Sequence, residues 1–526
     1  MALQDYLNLR NGTDVRGVAT ENGLGEKVTL TPDIAENIAR AFCMWLTEKT
    51  GNADLHIAVG YDSRISSPAL CQAVSSGIVD MGHTAVATGL STTPSMFMLL
   101  KDELQLRTLP CHGAVMITAS HLPSHRNGLK FFTPDGGLDG EDVKEILTLA
   151  ATCDFPESML GRKIESPYLD TYAENLVESV QEACGELQPL AGKRIIVDAG
   201  NGAGGFYAHK VLVPLGADIT GSQFLAPDGN FPNHIPNPEN AEAMESIRKA
   251  VLESKADLGI IFDTDVDRAG AVDKDGTEIN RNRLIALISA ILLEEKAGTI
   301  VTDSVTSDGL TKFITEHGGR HHRFKRGYKN VINEAIRLNE AGEYTPLAIE
   351  TSGHAAFMEN YFLDDGAYLI TRLLIALAKS AKQCKSLNDL IKTLETPAEA
   401  YEIRVRFQDG CDFKTLGVKV LKEFEESAKK RPYLALPQNY EGCRVCYDQA
   451  HGDGWALLRM SLHDPILPIN VESNQKGGAF KILKDVYYAL RKYDFLDTTP
   501  LSKQIDILRA QRETELKNAF AATDIL

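Results

Sequence analysis

At 526 residues the chain is too long for a single hydrophobic core, and about three or four domains are expected. A hydrophobic fraction of 43% and the lack of any apolar run near the roughly 18 residues of a membrane span point to a globular protein in water. The net charge of −17 argues against nucleic acid or an anionic membrane as partner. It leaves room for a small anionic substrate held by a few basic residues in one cleft.

The start, MALQDYLNLRNGTD, lacks a signal-peptide pattern. The nine cysteines show no paired spacing beyond the single C-x-x-C of Cys443 and Cys446, so reduced thiols in a cytoplasmic chain are expected. His451 close by keeps a metal reading of that pair open.

The rhythm along the chain is strand then helix, without low-complexity tracts or short repeats. LHIAVGYD (55–62) reads as a strand followed by a helix from Ser67 to Asp80, and TAVATGL and AVMITAS as two more strands. KRIIVDA (193–199) opens a second block, whose clearest strand is LGIIFDTD (258–265). GTIVTDS (298–304) opens a third, ending in PLAIETSG (346–353). Apolar runs spaced by helical segments predict mostly parallel, buried strands. From about residue 401 the grammar changes: YEIRVRF, CRVCYDQ and GWALLRMSL read as strands of an α+β unit, closed by a polar helix packed on the outside. The expected fold class is α/β: three successive mixed α/β domains (1–160, 161–290, 291–400) and a C-terminal α+β domain (401–526), around a central active-site cleft.

Four loops carry candidate chemistry, one in each proposed domain. Thr118-Ala119-Ser120-His121 ends a buried strand, with Asn127-Gly128-Leu129-Lys130 beyond it. Ser120 there is a nucleophile, a phosphate carrier or a helix cap; a lysine amine within reach could hold or shuttle a proton. Asp263-Thr264-Asp265-Val266-Asp267-Arg268 follows the strand LGIIF. Three carboxylates at alternate positions repel one another without a cation, and oxygen ligands suit magnesium. A calcium EF-hand requires glycine and glutamate where Arg268 and Lys274 stand, which excludes it. A solvated acidic turn is the plainer alternative. Glu350-Thr351-Ser352-Gly353-His354 could grip sugar hydroxyls or be a structural turn. Arg459-Met460-Ser461-Leu462-His463-Asp464-Pro465 alternates arginine, serine and histidine, a pattern that suits phosphate.

Gly200-Asn201-Gly202-Ala203-Gly204-Gly205 fits the G-x-G-x-x-G of dinucleotide sites but lacks the acidic residue about twenty positions on. Asp218 comes too soon and Asp228 lies in a Pro-Asp-Gly turn, so the glycines are read as a tight strand-to-helix turn.

In this order the loops resemble the α-D-phosphohexomutase superfamily, over nearly the whole chain. Gly12-Thr13-Asp14-Val15-Arg16-Gly17 is similar to its G-T-[DS]-G-[IV]-R-G, one residue shorter. Val59-Gly60-Tyr61-Asp62-Ser63-Arg64 resembles V-G-x-D-[ST]-R, and 227–238 resembles P-D-G-x-F-P…P-N-P. The resemblance implies that Ser120 carries a phosphoryl group and that Asp263, Asp265 and Asp267, with the phosphoserine, hold one Mg2+. It implies a bound 1,6-bisphosphate intermediate, with glucose 1,6-bisphosphate as activator. Lys130 is the implied general acid/base, with Arg16 and His121 supporting the phosphoryl site. Glu350 and Ser352 would read the sugar hydroxyls beside His354. Arg268, Gly327 and Lys329 would line the sugar-phosphate site, and Arg459, Ser461 and His463 would clamp the phosphate that is not reacting. The implied activity is interconversion of hexose 1- and 6-phosphates, glucose and/or mannose, by a monomer or homodimer.

The sequence departs from the family pattern at several positions. His463 and Asp464 replace the threonine and glutamate of R-x-S-x-T-E-P, Leu122 stands where asparagine is common, and Thr351 sits where subfamilies differ. Thr118 leans towards the glucose and mannose enzymes. A hexose bisphosphate synthase, a phosphoglucosamine mutase and a non-catalytic sugar-phosphate sensor are the alternatives on the same scaffold. Asp263-Thr264-Asp265-Val266 also resembles the opening of the D-x-D-x-[TV] of haloacid-dehalogenase-type phosphotransferases, in which Asp263 would be the nucleophile, although Asp267 stands at the motif's fifth position.

Overall fold

The computed structural model describes residues 2–23, 25–102, 107–155, 160–382, 385–461 and 464–523. Two compact units divide the chain: 1–291 with 352–392, and 292–351 with 393–526. Among the described residues no helix is long and apolar enough to cross a membrane.

The first unit contains two sheets. One comprises β1 (Asp14–Val18), β2 (His56–Tyr61), β3 (Thr84–Leu90), β4 (Gly113–Ile117), β5 (Arg126–Thr133) and β6 (Arg162–Glu165), in the spatial order β1-β5-β4-β2-β3-β6. β4, β2, β3 and β6 run parallel to one another, as their apolar runs predict. β5 instead runs antiparallel to both β4 and β1. The segment 118–125 that joins β4 to β5 is shorter than the dozen or so residues a parallel crossover needs, so the chain must turn back. Helices α1 (Pro32–Thr50) and α2 (Ser67–Asp80) cover one face, with Ile38, Phe42 and Leu46 of α1 packed among Ile57, Val59, Val115 and Phe131. Thr31 caps α1 through its side-chain oxygen and Pro32 opens the first turn. A short helix, α3 (Thr93–Met98), follows β3.

The second sheet pairs β7 (Ile195–Asp198) in parallel with β8 (Leu258–Phe262), and β8 antiparallel with β9 (Ala269–Asp273). Here too a short connection, 263–268, forces a hairpin. Both loops that carry the sequence's serine and acidic motifs are therefore strand-to-strand turns at the ends of fully buried strands.

In the second unit β10 (Thr299–Thr302) lies between β11 (Arg320–Arg323) and β12 (Leu347–Ile349), all parallel. β13 (Glu399–Phe407), β14 (Cys443–Tyr447), β15 (Gly454–Leu458) and β16 (Ile466–Ser473) form a second, antiparallel sheet in the order β14-β15-β16-β13. The last helix, Thr499–Thr523, buries Leu501, Ile505 and Leu508 against this sheet's core, one apolar stripe at helical spacing.

Candidate functional site

Ser120 does not cap a helix: it lies in the turn between β4 and β5, 1% exposed, with a left-handed φ of 50°. Serine rarely adopts that conformation, so neighbours must hold it. Its N–H donates to Thr118 Oγ1 at 2.8 Å, and Arg16 Nη1 donates to the carbonyl of the preceding Ala119 at 2.7 Å. Its hydroxyl donates to Asp263 Oδ2 at 3.1 Å and lies 3.3 Å from His121 Nδ1.

The acidic turn is not solvated. Asp263, Asp265 and Asp267 are 0%, 0% and 2% exposed, with carboxylate oxygens within 4.8 Å of one another. Burial, then the charges of Asp267 and Asp265, hold the Asp263 carboxyl well above the usual carboxylate range. Burial pushes Asp267 upward as well, but Lys130, His354 and Arg268 outweigh it and hold that carboxyl low. Lys130 reaches the triad from β5, where it sits opposite Met116 of β4. Its amine donates to Asp265 Oδ2 at 3.0 Å and contacts Asp267 Oδ2. Arg268 points back at the turn, with Nε 3.8 Å from Asp263 Oδ2. Burial and the cations Arg268, Arg16 and His354 drive His121 down to about 2, so it is a neutral imidazole.

His354 pairs with Asp364 and lies 4.0 Å from Asp267 Oδ1. Asp364 Oδ1 in turn accepts from the N–H of Ala355. The first unit thus brings together Ser120, His121, Lys130, Arg16, the three aspartates, Arg268 and His354, while Ser352, also in this unit, is buried. In the second unit Gly327 N donates to Glu350 Oε1 at 2.6 Å, and Lys329 follows in the first turn of the helix Tyr328–Glu340. Arg459 N and Ser461 N extend the ladder beyond β15, donating to the carbonyls of Pro468 and Ile466. Burial, then Arg326, lowers the Arg459 guanidinium, whose Nε is buried without a hydrogen-bond partner. His463 lies outside the described residues.

The triad fits a divalent cation. Asp265 Oδ1 and Asp267 Oδ1 are buried acceptors with no hydrogen-bond donor, and carboxylate oxygens are the ligands magnesium takes. Cys443, Cys446 and His451 do not gather: the eight described cysteines are free, and the metal-capable clusters among the described residues are the aspartate triad and Asp267–His354–Asp364.

Sequence reasoning gave no role to three residues here. Thr93 opens α3 and donates from Oγ1 to Asp265 Oδ2 at 2.5 Å. Asp364 orients His354. Arg64 holds the serine turn from below. Thr93, before Pro94, carries no signal in the sequence beyond that of a helix start; the Asp-Asp pair before the helix Gly366–Lys382 is the available signal for Asp364.

A serine hydroxyl bonded to one of three buried carboxylates, on repeated α/β layers, is an arrangement that suits the positioning and charge neutralisation phosphoryl transfer requires. Three family models match in succession, described as phosphoglucomutase/phosphomannomutase, alpha/beta/alpha domains I (8–157), II (168–276) and III (280–396). A phosphoglucomutase of Neisseria gonorrhoeae is 32% identical over 89% of this chain and 94% of its own length. A phosphomannomutase/phosphoglucomutase of Pseudomonas syringae pv. tomato is 30% identical over 91% of this chain and 94% of its own. A crystal structure of a phosphoglucomutase/phosphomannomutase family protein from Burkholderia thailandensis superimposes with a TM-score of 0.76 at 27% identity, covering 94% of this chain and 98% of that one. The chain belongs to the phosphoglucomutase/phosphomannomutase family, with a further C-terminal domain of sheet and helices after the three matched ones.

Proposed function

We propose that the chain interconverts hexose 1-phosphate and hexose 6-phosphate, glucose and/or mannose, with Ser120 as the phosphoryl carrier. The observation that carries this reading is the bond from Ser120 Oγ to Asp263 Oδ2, inside a buried triad with acceptors to spare. Asp263, Asp265, Asp267 and the phosphorylated Ser120 would hold Mg2+. When bound, the ion supplies charge neutralisation and polarisation of the phosphoryl oxygens.

The chain's own residues do the rest by positioning. The phosphoryl group leaves Ser120 Oγ for the free sugar hydroxyl; that hydroxyl's proton passes through Lys130 to Ser120 Oγ, giving a 1,6-bisphosphate. After the bisphosphate turns over, its other phosphoryl group returns to Ser120 and the proton retraces its path. Arg16 and neutral His121 support the transferring group. Glu350, Ser352 and His354 would read the sugar hydroxyls, and Arg268, Gly327, Lys329, Arg459, Ser461 and His463 the sugar phosphate. The domain limits near 160, 290 and 400, a monomer or homodimer, a cytoplasmic location and glucose 1,6-bisphosphate as activator belong to the same proposal.

The test is intact-protein and peptide mass spectrometry after incubation with glucose 1,6-bisphosphate and Mg2+, beside Ser120→Ala. Phosphate on the Ser120 peptide, absent from the variant, is expected. An unlabelled Ser120 would overturn the carrier, and label on Asp263 would assign the chemistry to an aspartyl nucleophile.

A further inference from the structure

Two motifs find no role in that reaction: Asp62-Ser63-Arg64 after β2, and the Pro227–Pro232 turn. A third, the glycine turn after β7, was read only as a bend. The structure joins all three beneath Ser120.

Arg64 is 1% exposed, and all five of its side-chain N–H donors have an acceptor. Nε donates to Asp62 Oδ2 at 3.2 Å. Nη1 donates to the carbonyls of Pro123 at 2.7 Å and Arg126 at 2.9 Å. Nη2 donates to the carbonyls of Leu122 at 2.7 Å and Ser120. One planar fork therefore gathers three carbonyls of the turn that carries the serine and that of Arg126, the first residue of β5. Asp62 fixes the fork in turn: its Oδ1 accepts from Arg64 N at 3.0 Å and from Ser67 Oγ at 2.8 Å. Lysine, with three donors on a point charge, cannot reproduce this.

The fork is seated from the other side. The Phe231 ring lies 5.3 Å from the guanidinium carbon, and Phe231 itself takes a left-handed φ of 50°. Gly229 is pressed against the backbone of 63–65, where a Cβ would stand 2.4 Å from Ile65 N and 2.6 Å from Ser63 O. Asn201, from the glycine turn, accepts from Asp228 N at 2.9 Å through its carbonyl and donates to Ala226 O at 2.9 Å through its side chain. The next residue, Gly202, lies against Thr264 of the acidic turn, and Ala203 N donates to Thr264 O at 2.8 Å. One support thus reaches both the serine turn and the acidic turn whose residues meet at the Ser120–Asp263 bond.

We propose that Arg64, seated by Gly229 and Phe231, is a positioning residue that holds Ser120 in the geometry from which it accepts and donates the phosphoryl group. The proposal rests on Ser120 being the carrier. Its test is the rate of Ser120 labelling by glucose 1,6-bisphosphate and Mg2+, followed by quenched intact-mass measurement, in wild type, Arg64→Lys, Gly229→Ala and Ser120→Ala. Displacement of a reacting atom by an ångström slows reaction on the order of 100-fold, so both supporting variants should label about 10- to 100-fold more slowly but to the same final extent. Steady-state kcat should fall by the same factor while KM for the sugar phosphate stays within about twofold. A merely structural role would instead lower the fraction labelled and leave the rate of the remainder unchanged, which overturns the proposal. Should Arg64→Lys fail to fold, Gly229→Ala decides alone. An unlabelled wild type overturns the carrier and the positioning together; a labelled wild type with variants at its rate overturns the positioning alone.

Discussion

Lys130 Nζ donates to Asp265 Oδ2 at 3.0 Å and also meets Asp267, so one buried cation is shared by two members of the acidic triad. The amine neutralises part of a charge cluster that the interior could not otherwise hold. Removing it leaves only His354 and Arg268 to offset the buried carboxylates, and breaking such a buried pair costs about 3–5 kcal/mol. Lys130→Met is expected to lose about that much stability in chelator, and visibly less in millimolar Mg2+, where the cation takes up the charge. Turnover should fall roughly 10²- to 10⁴-fold if the amine also moves the proton. Urea unfolding with and without Mg2+, beside a mutase assay, checks both parts.

Metal removal gives a second expectation. A ligand bound only by the folded state stabilises it by about 2.7 kcal/mol at 100 times its Kd. Wild type should therefore melt at a higher temperature in Mg2+ than in chelator, reversibly. Asp265→Asn replaces one oxygen with an amide nitrogen and should abolish the difference. A retained Mg2+-dependent shift in that variant would move the ion away from this turn.

Much of this site was legible because its chemistry sits where buried strands end. The runs LGIIF and AVMI announce strands, so the serine and the aspartates after them had to lie at a sheet edge. Strand direction was less legible. Apolar runs report burial on both faces, which a buried hairpin shares with a parallel layer, and only the shortness of 118–125 and 263–268 distinguishes them. Lys130 was placed in a loop for the same reason: on β5 its polar head points into a charged cluster, against the usual alternation. Arg64 was hidden differently. All its partners but Asp62 are backbone carbonyls, and those leave no trace in side-chain identity.

The second unit contains a pH-sensitive pair far simpler than the triad. Glu472 lies opposite Trp455 across β15 and β16 and accepts from its Nε1 at 3.0 Å. Burial pushes the Glu472 carboxyl up to about 7, against the opposing pull of Arg444, the indole N–H and Arg323, while Asp308 adds to the rise. Between about 4.5 and about 7 the folded chain keeps this proton and the unfolded chain does not. Stability from this group is thus present at low pH and lost as pH rises through that window, by about 1.4 kcal/mol per pH unit. Glu472→Gln should remove that slope. Denaturant unfolding followed by Trp455 fluorescence in a Trp45→Phe background, at several pH values, isolates it; parallel pH profiles for the two proteins would refute the assignment.

Thr93 offers the finest test of how the triad is held. Its hydroxyl donates to Asp265 Oδ2 at 2.5 Å, and its N–H donates to the Asp265 carbonyl at 2.9 Å, so the start of α3 fixes both ends of one aspartate. Thr93→Val keeps the shape and removes only the hydroxyl. A buried acceptor that loses a donor costs about 1–3 kcal/mol, and loss of a group orienting a metal ligand weakens metal binding about 10- to 100-fold. Thr93→Val should therefore bind Mg2+ more weakly by that factor, while Thr93→Ser, which keeps the donor, should stay near wild type. Isothermal titration of each metal-free protein with Mg2+ reads the difference directly. Equal affinities for valine and serine would mean that Lys130 alone sets the orientation of Asp265.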